Sequence, residues 1–412
     1  MKKLTLIKLI VPIQFLLLLS GCSNPISEIL PTAQSSSIEN SRVIVEYKDT
    51  PHLSTTGSSQ TNIHVVIGNC DTLNSDPNVK HCEPDLIVST QTVNNDKLDF
   101  LWGFHETDIP AAWQIHSGTN IVIAIIDTGV DINHPSLASS IWVNDDEIPG
   151  NGIDDDANGY IDDIHGWDFV NNRAIEPGTT QYDNTGHGTH VAGTIAGHIG
   201  VNPHAKIMVL KFMEDNSGYT SDAIRALQYA INNGATLSNH SYGTYDFSQT
   251  FRTAINNATQ NNHLLIAAAG NDGLDIDQTP FYPAAFNLDN IISVAASNKN
   301  NQLAFFSNYG DTSVDILAPG ENIYSTLPNN NYRLMSGTSM AAPLVTGILS
   351  LGIAASSTTD ITQLKESMVA NADSNDIINA HLFLSTLKKE TSKTAPILST
   401  LTEPLCKPFK FK

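Results

Sequence analysis

From about Asn95 to Leu387 the chain alternates short apolar runs with amphipathic stretches, and few folds satisfy that alternation. Ile121–Ile126 is apolar without a break and ends in Asp127, the pattern of a strand buried on both faces. Lys206–Met213, Ala235–Ser241, His263–Ala269, Asn290–Ala296 and Asp315–Ala318 read the same way. Between them lie helical stretches such as Asp222–Asn233, where Ile224, Leu227, Gln228 and Ile231 fall near one face. Strands alternating with helices predict an α/β fold, a mostly parallel sheet sandwiched by helices. In such sheets functional groups gather at the carboxyl ends of the strands, so the residues that follow each run carry the most information.

At 412 residues, 41% of them hydrophobic, the chain is long enough for one large domain with small appendages. It carries 21 Lys+Arg against 42 Asp+Glu, a net charge of −21. A surface this acidic repels phosphates, so nucleic acid is excluded as a partner, and a monomer is expected. Such acidity suits bound cations; it suits equally an exported protein kept soluble by its charge.

The N-terminus reads as a targeting segment. Lys2, Lys3 and Lys8 precede Leu9–Leu19, an apolar run interrupted by Pro12 and Gln14 and too short to stay in a bilayer as a helix. It ends in Leu19-Ser20-Gly21-Cys22, which resembles a bacterial lipoprotein signal. On that reading residues 1–21 are removed, Cys22 carries lipid, and the protein sits on the cell envelope, at the outer membrane or cell surface. The alternative is an ordinary secretory signal with Cys22 incidental. Residues 22–41, rich in Ser, Pro, Thr and Asn, form a flexible tether. Residues 42–94 follow as a small separate segment, with strand-like runs at Val43–Lys48 and His64–Ile67. Cys70 and Cys82, in an oxidising compartment, could close a loop worth about 3 kcal/mol. Their spacing fits no zinc or redox motif, and Cys406 is left without a role. Residues 95–387 make the main domain and 388–412 a loose tail.

Four residues stand in demanding contexts. Asp127 follows the buried run, where a carboxylate is costly unless paired; it could also be a plain strand cap. His187, in Gly186-His187-Gly188-Thr189-His190, opens a helix made slim by Gly188, Ala192, Gly193, Ala196 and Gly197. The rival reading makes His187 and His190 metal ligands, although neither HExxH spacing nor a nearby Cys accompanies them. Ser339, in Gly337-Thr338-Ser339-Met340-Ala341, begins a helix that is apolar nearly all round to Ala355. There it meets free backbone N–H groups and the positive end of the helix dipole, although an N-cap serine would sit there too. Asn271, in Ala269-Gly270-Asn271-Asp272, ends a small-residue strand; an oxyanion donor and a turn residue are both open.

A nucleophile, a base, an acid that orients it and an oxyanion donor are the parts of acyl transfer by serine. In the order Asp, His, Ser these motifs resemble those of the subtilisin family, and the likeness runs from Trp102-Gly103-Phe104 to Asn379-Ala380. It includes Ser307-Asn308-Tyr309-Gly310 and Ala318-Pro319-Gly320, and departs at Leu344, where many relatives have His. The resemblance implies a serine endopeptidase acting on proteins or peptides, with Asp127, His187 and Ser339 catalytic and Asn271 at the oxyanion. It also implies a cleft in which an extended substrate pairs with Ser241, Tyr242 and Gly243 on one side and with Gly218 and Tyr219 on the other. Asp76-Pro77-Asn78-Val79 through Asp85 resembles the end of a subtilisin-type propeptide, shorter than usual. A cut near Thr90–Leu98 would release the enzyme from its anchor; the alternative is a docked N-terminal extension that stays.

Between Asp127 and His187 lies an acidic insertion. Asp154, Asp156 and Asn158 at alternate positions, followed by Gly159, match the opening of an EF-hand-type loop and predict a structural Ca2+. The Tyr160 carbonyl and Asp162 would also serve; His165 stands where the closing Glu belongs, so Asp163 or Glu147 would replace it. A solvated acidic loop is the plain alternative. Two other functions compete with the peptidase. One is a catalytically idle calcium-binding surface lipoprotein, which loss of a triad residue would have favoured. The other is an esterase, against which stands the lack of a Gly-x-Ser-x-Gly elbow around Ser339.

Overall fold

The computed structural model describes residues 41–48, 63–90, 101–176, 183–356, 360–373 and 375–394. Cys22, the tether and Cys406 lie outside them. Among the described residues the main sheet has eight strands. Across it they run Ile316–Pro319, Ile291–Ser297, Leu264–Ala268, Leu237–His240, Val122–Asp127, Lys206–Lys211, Gly166–Asp168 and Arg173–Ala174. Every pairing is parallel except the last, as the strand–helix alternation predicts.

The unbroken apolar runs follow from helices on both faces. Along Val122–Asp127, Ile123 and Ile125 enter one core, with Val191, Ile195, Leu344 and Ile348, while Ala124 and Ile126 enter the other, with Ile224, Leu227, Phe251 and Ile255. A period of two therefore leaves no face for water. After Val122–Asp127 the chain adds strands on one side, then returns with Leu237–His240 to build on the other. The strand that ends in Asp127 is thus a topological switch point, where the connections diverge and leave a crevice.

Thr338–Ala355 is buried from Thr338 to Ile353. It is apolar on all sides because it is the central helix of its layer, packed on the sheet and on the helix His187–Ile195. The last helix, Ala380–Thr394, corrects the expectation of a loose tail from residue 388. Ala380, Phe383, Leu384 and Leu387 are buried at helical spacing, and the helix they anchor runs on past them.

The segment before the main domain forms a three-stranded antiparallel sheet in the order Ile63–Gly68, Ser41–Tyr47, Val79–Pro84. Its core is small, with Val43, Val45, Val79 and Cys82 buried, and the Cys70–Cys82 disulfide fastens it. Few apolar contacts are available to such a sheet, so closing this loop matters more here than in the main domain.

Three buried histidines make stability depend on pH. His190 bonds to the carbonyls of Ile323 and Arg333; His240 lies between Ser238 and Tyr242; His263 lies between Ala235 and Ser238. Burial holds His190 at about 3, His263 at about 4 and His240 well below the ordinary 6.5. The unfolded chain therefore binds more protons below pH 6.5, and stability falls as pH drops, by up to about 1.4 kcal/mol per pH unit for each histidine. Burial pushes the carboxyls of Asp163 and Asp183 up, which acts in the opposite sense, so the effect is best read by difference. His263→Gln should flatten the fall in melting temperature between pH 6.5 and 5; an unchanged slope would show that His263 takes no part.

Candidate active site

Asp127 is fully buried at the carboxyl end of its strand. Its Oδ1 accepts from the Thr128 amide at 2.7 Å and lies 2.7 Å from His187 Nδ1. The histidine can come this close because the next residue is glycine: a Cβ at Gly188 would stand 2.1 Å from the Gly129 carbonyl oxygen. His187 Nε2 is buried without a hydrogen-bond partner, and so is Asp127 Oδ2. An imidazole held through Nδ1 by a carboxylate, with Nε2 open, is arranged to take a proton at Nε2.

Ser339 begins the central helix, where backbone N–H groups have no partner within the helix. Its Oγ donates to the Ser241 carbonyl at 2.9 Å, and the Ser241 hydroxyl donates back to the Ser339 carbonyl at 3.0 Å. Asn271 Oδ1 accepts from the amide and hydroxyl of Thr338 at 2.9 and 3.0 Å, which fixes the orientation of the side-chain amide. Its Nδ2 is then left buried without a partner beside the residue that precedes Ser339. A buried donor is costly to leave unpaired, and one at a helix N-terminus suits a developing oxyanion.

Two residues in this network escape a reading of the sequence. Asp183, buried, receives the Thr128 hydroxyl at 2.8 Å, the Gly186 amide at 2.9 Å and the amide and hydroxyl of Thr189 at 2.8 and 2.6 Å. It caps the helix that begins at His187 and ties it to the residue after Asp127. An acidic residue just before a helix was the available signal. Lys211, also buried, donates from Nζ to the carbonyls of Thr128 and Met213 and pairs with Glu214. It lies directly across the sheet from Asp127.

The expected cleft edges are strands, and the chain itself lies between them. Ile87–Thr90 pairs antiparallel with Ser217–Tyr219, Val88 opposite Gly218 and Ile87 opposite Tyr219. On its other side it pairs with Tyr242–Gly243, Thr90 opposite Tyr242 and Ser89 opposite Gly243. Two carboxylates hold the preceding sheet in place. Glu83 receives the amides of Gln249 and Thr250 and the Ser248 hydroxyl, at the start of helix Gln249–Ala258. Asp85 receives the amide and hydroxyl of Ser221, at the start of helix Thr220–Asn232, and pairs with Arg42. The Arg42 guanidinium also bonds Asp222 at 2.8 Å and lies over the Tyr219 ring. Carboxylates at helix N-termini are favourably placed against the dipoles.

In the acidic insertion, Glu147, Asp154 and Asp156 bring carboxylate oxygens within 4.8 Å of one another. Among the described residues no Lys, Arg or His pairs with these three, so the cluster fits a divalent cation. Asn158 adjoins it, donating to Asp156 and Asp163. Asp162 and Asp163 stand outside it. Asp162 receives the amides of Asn151 and Gly152, and Asp163 the side chains of Asn144, Asn158 and Tyr229. The ring of Tyr160 packs against Trp167, Phe169 and Tyr229.

The fold agrees with the comparisons. The subtilase family model matches residues 118–393, and the chain belongs to that family. It is 36% identical over 290 residues to a "Thermophilic serine proteinase" of Bacillus sp., covering 68% of this chain and 64% of that one. It is 35% identical over 264 residues to "Subtilisin-like protease 2" of Plasmodium falciparum, covering 61% of this chain but 18% of the relative. With "Thermitase" of Thermoactinomyces vulgaris it shares 34% identity over 258 residues, 61% of this chain and 81% of that one. The chain thus spans under two thirds of the length of the first two.

The geometry gives two expected outcomes. If Asn271 Nδ2 receives the oxyanion, Asn271→Ala should lower kcat by about 10²–10³, the cost of removing one such donor. Asp183→Asn keeps the shape but weakens the cap on His187, so it should lower kcat less than Asn271→Ala while shifting the acid limb of the pH–rate profile. Steady-state kinetics on a peptide anilide read both, and full activity in Asn271→Ala would remove the oxyanion assignment.

Proposed function

We propose that this protein is a serine endopeptidase whose triad is Asp127, His187 and Ser339, tethered by lipid on Cys22 and made as a precursor that occupies its own cleft. The observation that carries the reading is the Asp127–His187 hydrogen bond of 2.7 Å, with Nε2 open, on a helix packed against the one whose first turn carries Ser339. Ser339 Oγ attacks the substrate carbonyl and His187 Nε2 takes its proton; Asp127 holds the ring and stabilises the imidazolium. Asn271 Nδ2 and the helix N-terminus receive the oxyanion. His187 then passes the proton to the leaving amine, and water hydrolyses the acyl-enzyme by the same steps.

Residues 42–94 act as a propeptide. What supports this is that Ile87–Thr90 lies in the cleft as an extended strand paired on both sides, the mode in which a substrate binds. Cleavage falls between Thr90 and Leu98 and frees the enzyme from the N-terminal anchor. The anchor rests on Lys2, Lys3 and Lys8, the short apolar run and Leu19-Ser20-Gly21-Cys22. Calcium belongs at Glu147, Asp154 and Asp156, with Asn158 beside them; when bound it neutralises their charge and orders the loop.

A fluorophosphonate probe should label wild type at Ser339 and leave Ser339→Ala unlabelled. Ser339→Ala should also keep the 42–94 segment that wild type loses, as N-terminal sequencing reads; identical termini would make the segment permanent. Calcium should raise the melting temperature with the logarithm of its concentration, by about 2.7 kcal/mol of stability at a hundredfold excess over Kd. Asp154→Asn with Asp156→Asn should abolish that dependence without removing Ser339 labelling. A melting temperature indifferent to calcium and chelator would leave the loop as acidic surface.

A further inference from the structure

We propose that Phe281 closes the floor of the slot that receives the side chain on the acyl side of the scissile bond. The enzyme then selects short or unbranched residues there and rejects aromatic ones. The inference rests on the peptidase reading and deepens it.

The position of the slot follows from the strand in the cleft. Thr90 lies opposite Tyr242 and Ser89 opposite Gly243, so one residue further along an occupant strand comes into register with Ser241. Ser241 exchanges two hydrogen bonds with Ser339, so the carbonyl of that next residue is the one presented to the nucleophile. With its oxygen toward Asn271, its side chain must pass between the strand Tyr242–Gly243 and the segment that leads through Gly270 to Asn271. Both walls are glycine, which leaves the gap between them free of side chains from either.

The gap is filled from below. A Cβ at Gly243 would stand 2.3 Å from Phe281 Cε1, and one at Gly270 would stand 3.1 Å from Phe281 Cδ1. The ring therefore touches both bare backbones. It is held there from two sides. Tyr282, next in the chain, exchanges backbone hydrogen bonds with Thr244, N to O at 2.8 Å and 2.9 Å. The Tyr245 ring packs on Phe281 with centroids 4.9 Å apart. The Tyr245 hydroxyl is itself fixed by donating to Asp272 at 2.6 Å. At 2% exposure Phe281 has no room to swing aside. A large ring entering the slot would have to displace it, whereas a methyl group would rest on it.

Enzyme expressed as the full chain and left to process itself, assayed on tetrapeptide p-nitroanilides that differ only in the acyl-side residue, alanine or phenylalanine, tests this. Wild type should favour alanine in kcat/KM by about tenfold or more, the scale on which an apolar pocket sorts side chains by size. Phe281→Gly should reverse the ratio, and the milder Phe281→Leu should bring it part of the way toward unity, in case the glycine variant does not fold. Equal or faster cleavage after phenylalanine by wild type overturns the proposal. An unchanged ratio in an active Phe281→Leu or Phe281→Gly enzyme does so too. If neither peptide is cut and Ser339 takes no fluorophosphonate label, the peptidase reading fails, and this proposal with it.

Discussion

A carboxylate fully buried at the carboxyl end of a strand is costly to keep there, and much of its surroundings answers to it. Asp127 has no exposure, and the Thr128 amide and His187 Nδ1 are its two donors. In low dielectric such a group is tolerable only with charge-assisted hydrogen bonds of good geometry. That demand fixes where the histidine helix must start, why Gly188 follows His187, and why Asp183 clamps Thr128 and the helix end together. Oxygen Oδ2 remains unpaired, and so do His187 Nε2 and Asn271 Nδ2. An imidazole nitrogen held open through its carboxylate-bound partner atom is suited to take a proton, and an open amide donor beside a helix N-terminus is suited to receive an oxyanion.

The crevice exists because the chain changes direction at that strand. Connections on either side of Val122–Asp127 run away from each other, the arrangement that leaves a crevice at a strand's carboxyl end. The central helix packs on the helix that begins at His187, and its uniform burial leaves it little freedom to shift. Close packing of small residues holds these groups by backbone contact rather than by long side chains, which keeps the geometry stiff.

The cleft beside the crevice is built on another principle. Ser217–Tyr219 and Tyr242–Gly243 are short strands with an open place between them, and Ile87–Thr90 fills it by main-chain pairing. Such pairing is nearly blind to sequence, so what is admitted depends on side-chain pockets at its ends. The docking of the preceding sheet depends on neither. It uses Glu83 and Asp85 on two helix N-termini, together with the Arg42 network, away from the chemistry. Occupancy of the cleft and reactivity of the crevice are therefore separable physically, although one segment of chain bears on both.

The sequence by itself determined the layered α/β architecture, since a strand buried on both faces must be apolar at every position and each run shows it locally. It also marked Asp127, His187, Ser339 and Asn271, because each closes or opens an element whose pattern is visible on its own. It left open whether Cys70 and Cys82 pair, and it missed the last helix beyond Leu387, whose anchoring residues lie at helical spacing before that point. Tertiary structure alone decided which acidic residues converge: Glu147 joins Asp154 and Asp156, while Asp162 and Asp163 turn to backbone amides and to side chains. It alone gave Asp183 and Lys211 their places and set Phe281 between two glycines. The physical reason is the same in each case. Burial periodicity is written along the chain, but hydrogen-bond partners and filled gaps are chosen among groups far apart in sequence, and only folding brings these within reach.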